Sequence, residues 1–256
     1  MHKLNGGKKI SPSKEIAYIA VTCALLLGGQ YVFSFVVGVE VVTLILACFA
    51  CVFGIRRGVI CAVAFCLLRC LIYGFYPTVV ILYLVYYPLL AVVFGGLGHI
   101  KDATFESFPL YFAAIINVML LGIAAACALC CCLDLVKVSR VYKYTIYALL
   151  WLIFALCILL CLAFDGLFIA KKFFKKNTAV LLKVIAFTSV GAVCTVLFTL
   201  FDDIITPLFF GYDKLTALAY FYSSFTAMLP QTVCTIVTFT TLFIPLTCVF
   251  KRAAKF

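Results

Sequence analysis

Recurrence is the feature that most limits the fold: apolar runs of membrane-crossing length return along the chain, separated by short turns that hold most of its charge. Ala179 to Leu200 is one such run, and Val79 to Gly98 and Tyr144 to Ala170 are others. About 20 apolar residues suffice for one helical crossing. The runs are rich in Leu, Phe, Cys and Ala and lack strict alternation, so they read as helices and not as strands of a lipid-facing barrel. With 67% hydrophobic and 11% charged residues over 256 positions, the chain has more apolar surface than one soluble core of its length could bury. The expectation is an all-α integral membrane protein.

The net charge of +11 raises nucleic acid as a partner, but the basic residues sit in short turns and not on an aromatic-interleaved patch. They are read as topology signals, and no nucleic acid is expected. Most of the fifteen cysteines lie inside apolar runs, and His2 and His99 are the two histidines. The spacings Cys48 to Cys51 and Cys127 to Cys130 match C-x-x-C, yet neither has a second ligand pair or a redox context. Packing as small hydrophobes is the simpler reading, and neither metal nor cofactor is expected. Lys3, Lys8, Lys9 and Lys14 ahead of Ile16 to Gly28 imitate a signal peptide. No small-residue cleavage site follows, so residues 1–13 are read as a basic tail before the first helix.

Residues 14–100 read as helices one to four. The first, about Lys14 to Gly29, carries Ala20 and Ala24 as a small-x-x-x-small pair that Gly28 extends, a groove suited to docking a helix of this chain or of another. Gly28-Gly29 and Gln30 argue for a bend before Glu40 opens the second run, to Phe53. Arg56-Arg57 is a basic turn, and the third run, Val59 to about Tyr73, contains Arg69. A guanidinium there snorkels, pairs with a carboxylate such as Glu40 or Asp203, or meets an anionic part of a ligand. The turn Gly74 to Thr78 leads to the fourth run, whose Tyr83, Tyr86, Tyr87 and Pro88 read as an interfacial belt or a cavity wall.

Residues 101–177 read as an inserted hairpin, about Pro109 to Leu133 and Tyr144 to Ala170, closed by the basic cluster Lys171, Lys172, Lys175 and Lys176. Residues 178–256 hold the last helices and an outer loop. There Ala179 to Leu200 delivers the chain to the adjacent acids Asp202 and Asp203, read as the rim of a solute site or as a solvated acidic loop. Leu215 to Leu229 reads as an aromatic, hydroxyl-rich cap, and Pro230 to Phe250 as the closing helix.

With the N-terminus cytoplasmic and about eight helices, the inner turns collect fourteen basic residues, including Lys101, Lys251, Arg252 and Lys255, while Lys137, Arg140, Lys143 and Lys214 fall outside. Both termini are therefore expected in the cytoplasm of a multi-pass cell-membrane protein. Gln30 to Glu40, Phe75 to Thr78 and Asp202 to Ser224 then share the outer face.

The A-V-T-C-A of Ala20 to Ala24, the G-I-R-R-G turn, the F-Y-P-T and Y-Y-P-L of the Gly38 to Gly98 region, Phe201 to Gly211 and the closing T-L-F-I-P-L resemble a known family. It is the membrane-embedded substrate-binding (S) components of energy-coupling-factor transporters. The resemblance covers roughly two-thirds of the chain. It implies capture of a vitamin-like small molecule in an outward-facing pocket, docking through Ala20 and Ala24 to a transmembrane coupling subunit, and ATP hydrolysis by two separate ATPase subunits. The chain has no G-x-x-x-x-G-K-[ST] of its own, so it is not expected to be the enzyme. Its departure from the family is the hairpin of about 109–170, since the family usually has six helices.

The expected substrate contacts are Gln30, Arg69, Tyr76, Tyr83, Tyr87, Asp202, Asp203 and Thr206, with tyrosines stacking a flat ring and polar groups orienting it. An intramembrane enzyme using Asp202 and Asp203 is disfavoured, because adjacent residues on one helix diverge by about 100° and form no facing acid pair. A structural or channel-like protein stays open, although channels and carriers need polarity along a through-path and here it is concentrated at one side.

Overall fold

The computed structural model describes residues 11–36, 41–99, 110–133, 140–170 and 177–254. Among them every regular element is a helix: α1 (Pro12–Phe33), α2 (Val42–Phe53), α3 (Ile55–Tyr73), α4 (Pro77–Gly98), α5 (Leu110–Cys132), α6 (Arg140–Ala170), α7 (Asn177–Phe210) and α8 (Lys214–Ala253). Expectations that rest on Glu40, Lys101, Lys137, the lysine cluster 171–176, Lys255 and the tail before Ser11 lie outside the described residues. Six helices, α1 and α4 to α8, are long and apolar enough to cross a membrane, so the protein is a multi-pass membrane protein. The other two differ from simple spans. With 12 residues, α2 is about 18 Å long against a hydrocarbon core of about 30 Å, and α3 carries Arg56, Arg57 and Arg69.

The short helix α2 is the hub of the first half, packed on α1, α3, α4 and α8. Nine of its 12 residues are buried, which explains why it is apolar on every side. Gly54, at φ 88°, turns α2 directly into α3, a left-handed position that a side chain would strain. Close by, α4 passes against the backbone of that turn: a Cβ on Gly98 would collide with the Cys51 carbonyl, and one on Gly95 would lie 2.8 Å from the Ile55 amide nitrogen. Hydrophobic drive between helices is weak in lipid, so such close backbone contact is a main source of cohesion.

The central helix α7 lies between α4, α8 and the α5–α6 hairpin. Phe187 on α7 meets Phe94 of α4 at 5.8 Å and Phe243 of α8 at 4.6 Å between ring centroids, and Phe239 stands 5.6 Å from Phe94. These rings plug the middle of the bundle. The hairpin packs laterally on α7 and α8. At one end, Tyr18 of α1 donates to the Ala253 carbonyl of α8 at 2.8 Å, and Arg57 pairs with Glu15 at 3.3 Å. The described starts of α1 and the end of α8 therefore share one end of the bundle.

Several boundaries differ from the expectation. Gly28-Gly29 does not bend the chain: α1 continues to Phe33, because in an apolar setting the helix is what satisfies the backbone. Phe201 to Phe210, read as part of an outer loop, continues α7, and Leu215 to Leu229, read as a cap, opens α8. The stop signals stand further on. Gly211, at φ 63°, takes the left-handed position after α7 while the Tyr212 amide reaches back to the Pro207 carbonyl at 3.0 Å, a Schellman closure. Asp213 then caps α8, accepting from the Leu215 and Thr216 amides and the Thr216 hydroxyl. The closing helix thus begins at Lys214, and Pro230 lies inside it.

Candidate functional site

At the end opposite the Tyr18–Ala253 contact, a half-open cavity of about 290 Å³ sits among the last residues of α1, the first of α2, the end of α3, the start of α4, and the middle of α7 and α8. Helical spacing brings its side chains together. Arg69 and Tyr73 are four apart near the end of α3, which Gly74 terminates at φ 91°. Tyr83 and Tyr87 are four apart on α4, whose start is set by Pro77. Gln30, Phe33 and Ser34 share the last turn of α1.

Four of the eight expected substrate contacts, Gln30, Arg69, Tyr83 and Tyr87, line this cavity. The Gln30 amide donates to the Tyr83 hydroxyl at 3.5 Å, a long bond. The Arg69 guanidinium lies 4.3 Å from the Tyr83 ring centroid and 5.2 Å from that of Tyr73, within cation–π range of both. Tyr87 forms the floor, edge-on to Phe65 at 5.4 Å and to Tyr83 at 4.9 Å. Phe198 of α7 closes the back, 5.9 Å from Tyr83. Three polar atoms around the cavity, Gln30 Oε1, Arg69 Nε and Tyr73 Oη, have no hydrogen-bond partner. An unsatisfied buried polar group costs about 1–3 kcal/mol, so this is where a bound solute has most to offer.

The other four do not reach the cavity. Tyr76 precedes α4 in the α3–α4 turn and is 61% exposed. Asp202, Asp203 and Thr206 lie further along α7 in a network of their own with α8. Asp202 accepts from the Tyr220 hydroxyl at 2.7 Å and the Thr206 hydroxyl at 2.8 Å, while Asp203 accepts from Ser224 at 2.8 Å. This network fastens the two helices near their hairpin tip, and it accounts for carboxylates in an apolar helix that have no basic partner among the described residues. The pairing considered between Arg69 and Asp203 does not form: the described partners of Arg69 are ring faces, and Asp203 Oδ1 has none. Pro207, inside the same helix, lacks the amide that would bond the Asp203 carbonyl.

The sequence reading missed Gln231 and Phe198. Gln231 lines the cavity from α8, and its Oε1 accepts from Thr199 at 3.5 Å. Its signal was available, a lone amide beside Pro230 within an apolar stretch, but Pro230 was read as a helix start. The α1 groove has a clear outcome. Ala20, Ala24 and Gly28 are exposed, and nothing lies within 4 Å of a Cβ placed on Gly28. The stripe therefore does not serve packing within the described chain. No residue of the α5–α6 hairpin lines the cavity.

No family model, no curated protein and no solved structure matches the chain.

Proposed function

We propose that the protein is a membrane-embedded solute-capture subunit, binding a small organic molecule in the cavity bounded by Gln30, Arg69, Tyr83, Tyr87, Phe198 and Gln231. The observation that carries this is the cavity itself: one cation, two amides and a wall of aromatic rings converge on one space within a largely apolar bundle. Ligand sites have that composition, mostly apolar lining with a few orienting polar groups, and this one is near the small end of their range of about 300–1,000 Å³. Below it the bundle is filled by Phe94, Phe187, Phe239 and Phe243, which favours capture over open conduction.

The finer reading is a substrate-binding component of an energy-coupling-factor importer in the cell membrane, taking a vitamin-like solute from outside with both termini in the cytoplasm. It performs no chemistry itself; a coupling subunit and two ATPases would drive release. The outward-facing Ala20, Ala24 and Gly28 stripe supports such a partner, since it offers close backbone approach that no described helix of the chain uses. The test has two parts. Purified protein should release a small molecule on denaturation, detected by mass spectrometry, and Tyr83→Ala should release much less. Ala20→Leu should keep the ligand but lose copurification of a coupling subunit. Equal ligand recovery from wild type and Tyr83→Ala would refute capture at this site, and undiminished copurification would refute docking through α1.

A further inference from the structure

We infer that the cavity selects a small organic anion: a carboxylate carried on a flat, unsaturated ring. The inference rests on the cavity being a ligand site and adds the charge and shape of what fills it. Arg69 is the one charged residue among those lining it. Gln30 and Gln231 are neutral, so the described wall has a formal charge of +1. The acid pair close in sequence to the wall, Asp202 and Asp203, is engaged by Tyr220, Thr206 and Ser224 and contributes nothing to the lining.

Arg69 is also held in an open state. Its guanidinium rests against the rings of Tyr83 and Tyr73 and donates no hydrogen bond to a described residue. Ring faces stabilise the cation and fix its plane, but they accept none of its five N–H donors in the manner of an oxygen. A planar fork with unspent donors matches a carboxylate, which accepts two parallel bonds from it. Among the described residues no carboxylate pairs with Arg69, so a neutral ligand would leave this cation to ring faces, an expensive arrangement in an apolar bundle.

The remaining wall sets the shape. Tyr83, Tyr87, Phe198 and Phe33 present ring faces and edges around a space of about 290 Å³, which suits a small flat body better than a long chain. The unpartnered Gln30 Oε1 and Tyr73 Oη supply an acceptor and a hydroxyl near the same space, able to meet ring N–H, N or O–H groups.

The test uses full-length protein in lipid nanodiscs and isosteric probe pairs: benzoate and benzamide, nicotinate and nicotinamide, indole-3-acetate and indole-3-acetamide. Binding is read by calorimetry and by thermal stabilisation. At least one carboxylate should bind, with its amide twin about tenfold weaker or worse, as loss of a bidentate charge-assisted pair implies. Arg69→Gln should bring the carboxylate down to the level of its twin, while Arg69→Lys keeps part of the preference and guards against a misfolded variant. Amides that bind as tightly as carboxylates, with binding lost in Tyr83→Ala, would overturn the anion while leaving the cavity as a ligand site. No binding by any carboxylate would overturn the inference, and if wild type and Tyr83→Ala also released equal amounts of small molecule, the capture reading would fall with it.

Discussion

Removing the Tyr220 hydroxyl tests whether the far ends of α7 and α8 are fastened by side-chain chemistry or merely run alongside each other. Tyr220→Phe keeps the ring and its edge contact with Tyr212 at 6.1 Å while deleting the 2.7 Å bond to Asp202 Oδ2. Interhelical hydrogen bonds in membrane proteins average about 0.6 kcal/mol and reach about 1.7. Bonds to ionised groups in soluble proteins contribute about 1.5–3 kcal/mol. A short bond to a carboxylate in a half-buried position falls between, and we expect a coupling of about 1 kcal/mol. The Thr206 bond at 2.8 Å is present in both backgrounds where Asp202 remains, so a double-mutant cycle isolates the pair. The cycle comprises Tyr220→Phe, Asp202→Ala and the double variant, each followed by reversible thermal unfolding in one detergent. Thr240→Ala with Asp202→Ala is the reference, because the exposed Thr240 bonds its own helix at the Ile236 carbonyl; those two should add within about 0.5 kcal/mol. If Tyr220→Phe and Asp202→Ala were equally additive, the carboxylate network would be ornament and the account of why acids occur in α7 would be wrong.

Gly98→Ala should destabilise the protein by about 1–3 kcal/mol, since the added methyl meets the Cys51 carbonyl on a buried backbone, whereas Gly96→Ala, with nothing within 4 Å, should be neutral or slightly stabilising. Equal melting temperatures for the two variants would refute the close α2–α4 approach. At the other end, the Thr216 hydroxyl, joined by the Leu215 and Thr216 amides, holds the Asp213 carboxyl below its usual range. A depressed folded value means that the cap's contribution is complete above the ordinary aspartate value of about 3.9 and is lost as pH falls through the lower, folded one. The melting-temperature gap between wild type and Asp213→Asn should therefore narrow on acidification, and a constant gap would count against the cap.

The helical, membrane-spanning character was legible because it rests on long apolar runs, a signal that averages over many residues. Half of the expected substrate contacts converged for a similar reason: Gln30, Arg69, Tyr83 and Tyr87 are polar or amphipathic groups inside apolar helices, where they must face something other than lipid. Asp202 and Asp203 misled because two adjacent acids look like a helix boundary. The hydroxyls that satisfy them lie 18 and 21 residues away on the next helix, a tertiary pairing that no local pattern announces. The chain's real punctuation, Gly211 and Asp213, stood in plain view eight to eleven residues later. Gln231 was hidden by the opposite error, since Pro230 was treated as punctuation although a helix enclosed by neighbours tolerates an interior proline.

The contact between Tyr18 and the Ala253 carbonyl spans 235 positions of chain. Such a clasp forms only after the end of α8 has emerged, so during synthesis α1 first packs on α2 and α3, and meets Tyr83 of α4 through Gln30, before this last partner arrives. Closure of this end of the bundle therefore comes late, and a truncation that removes the end of α8 should free the start of α1 while leaving its packing on α2 and α3 in place.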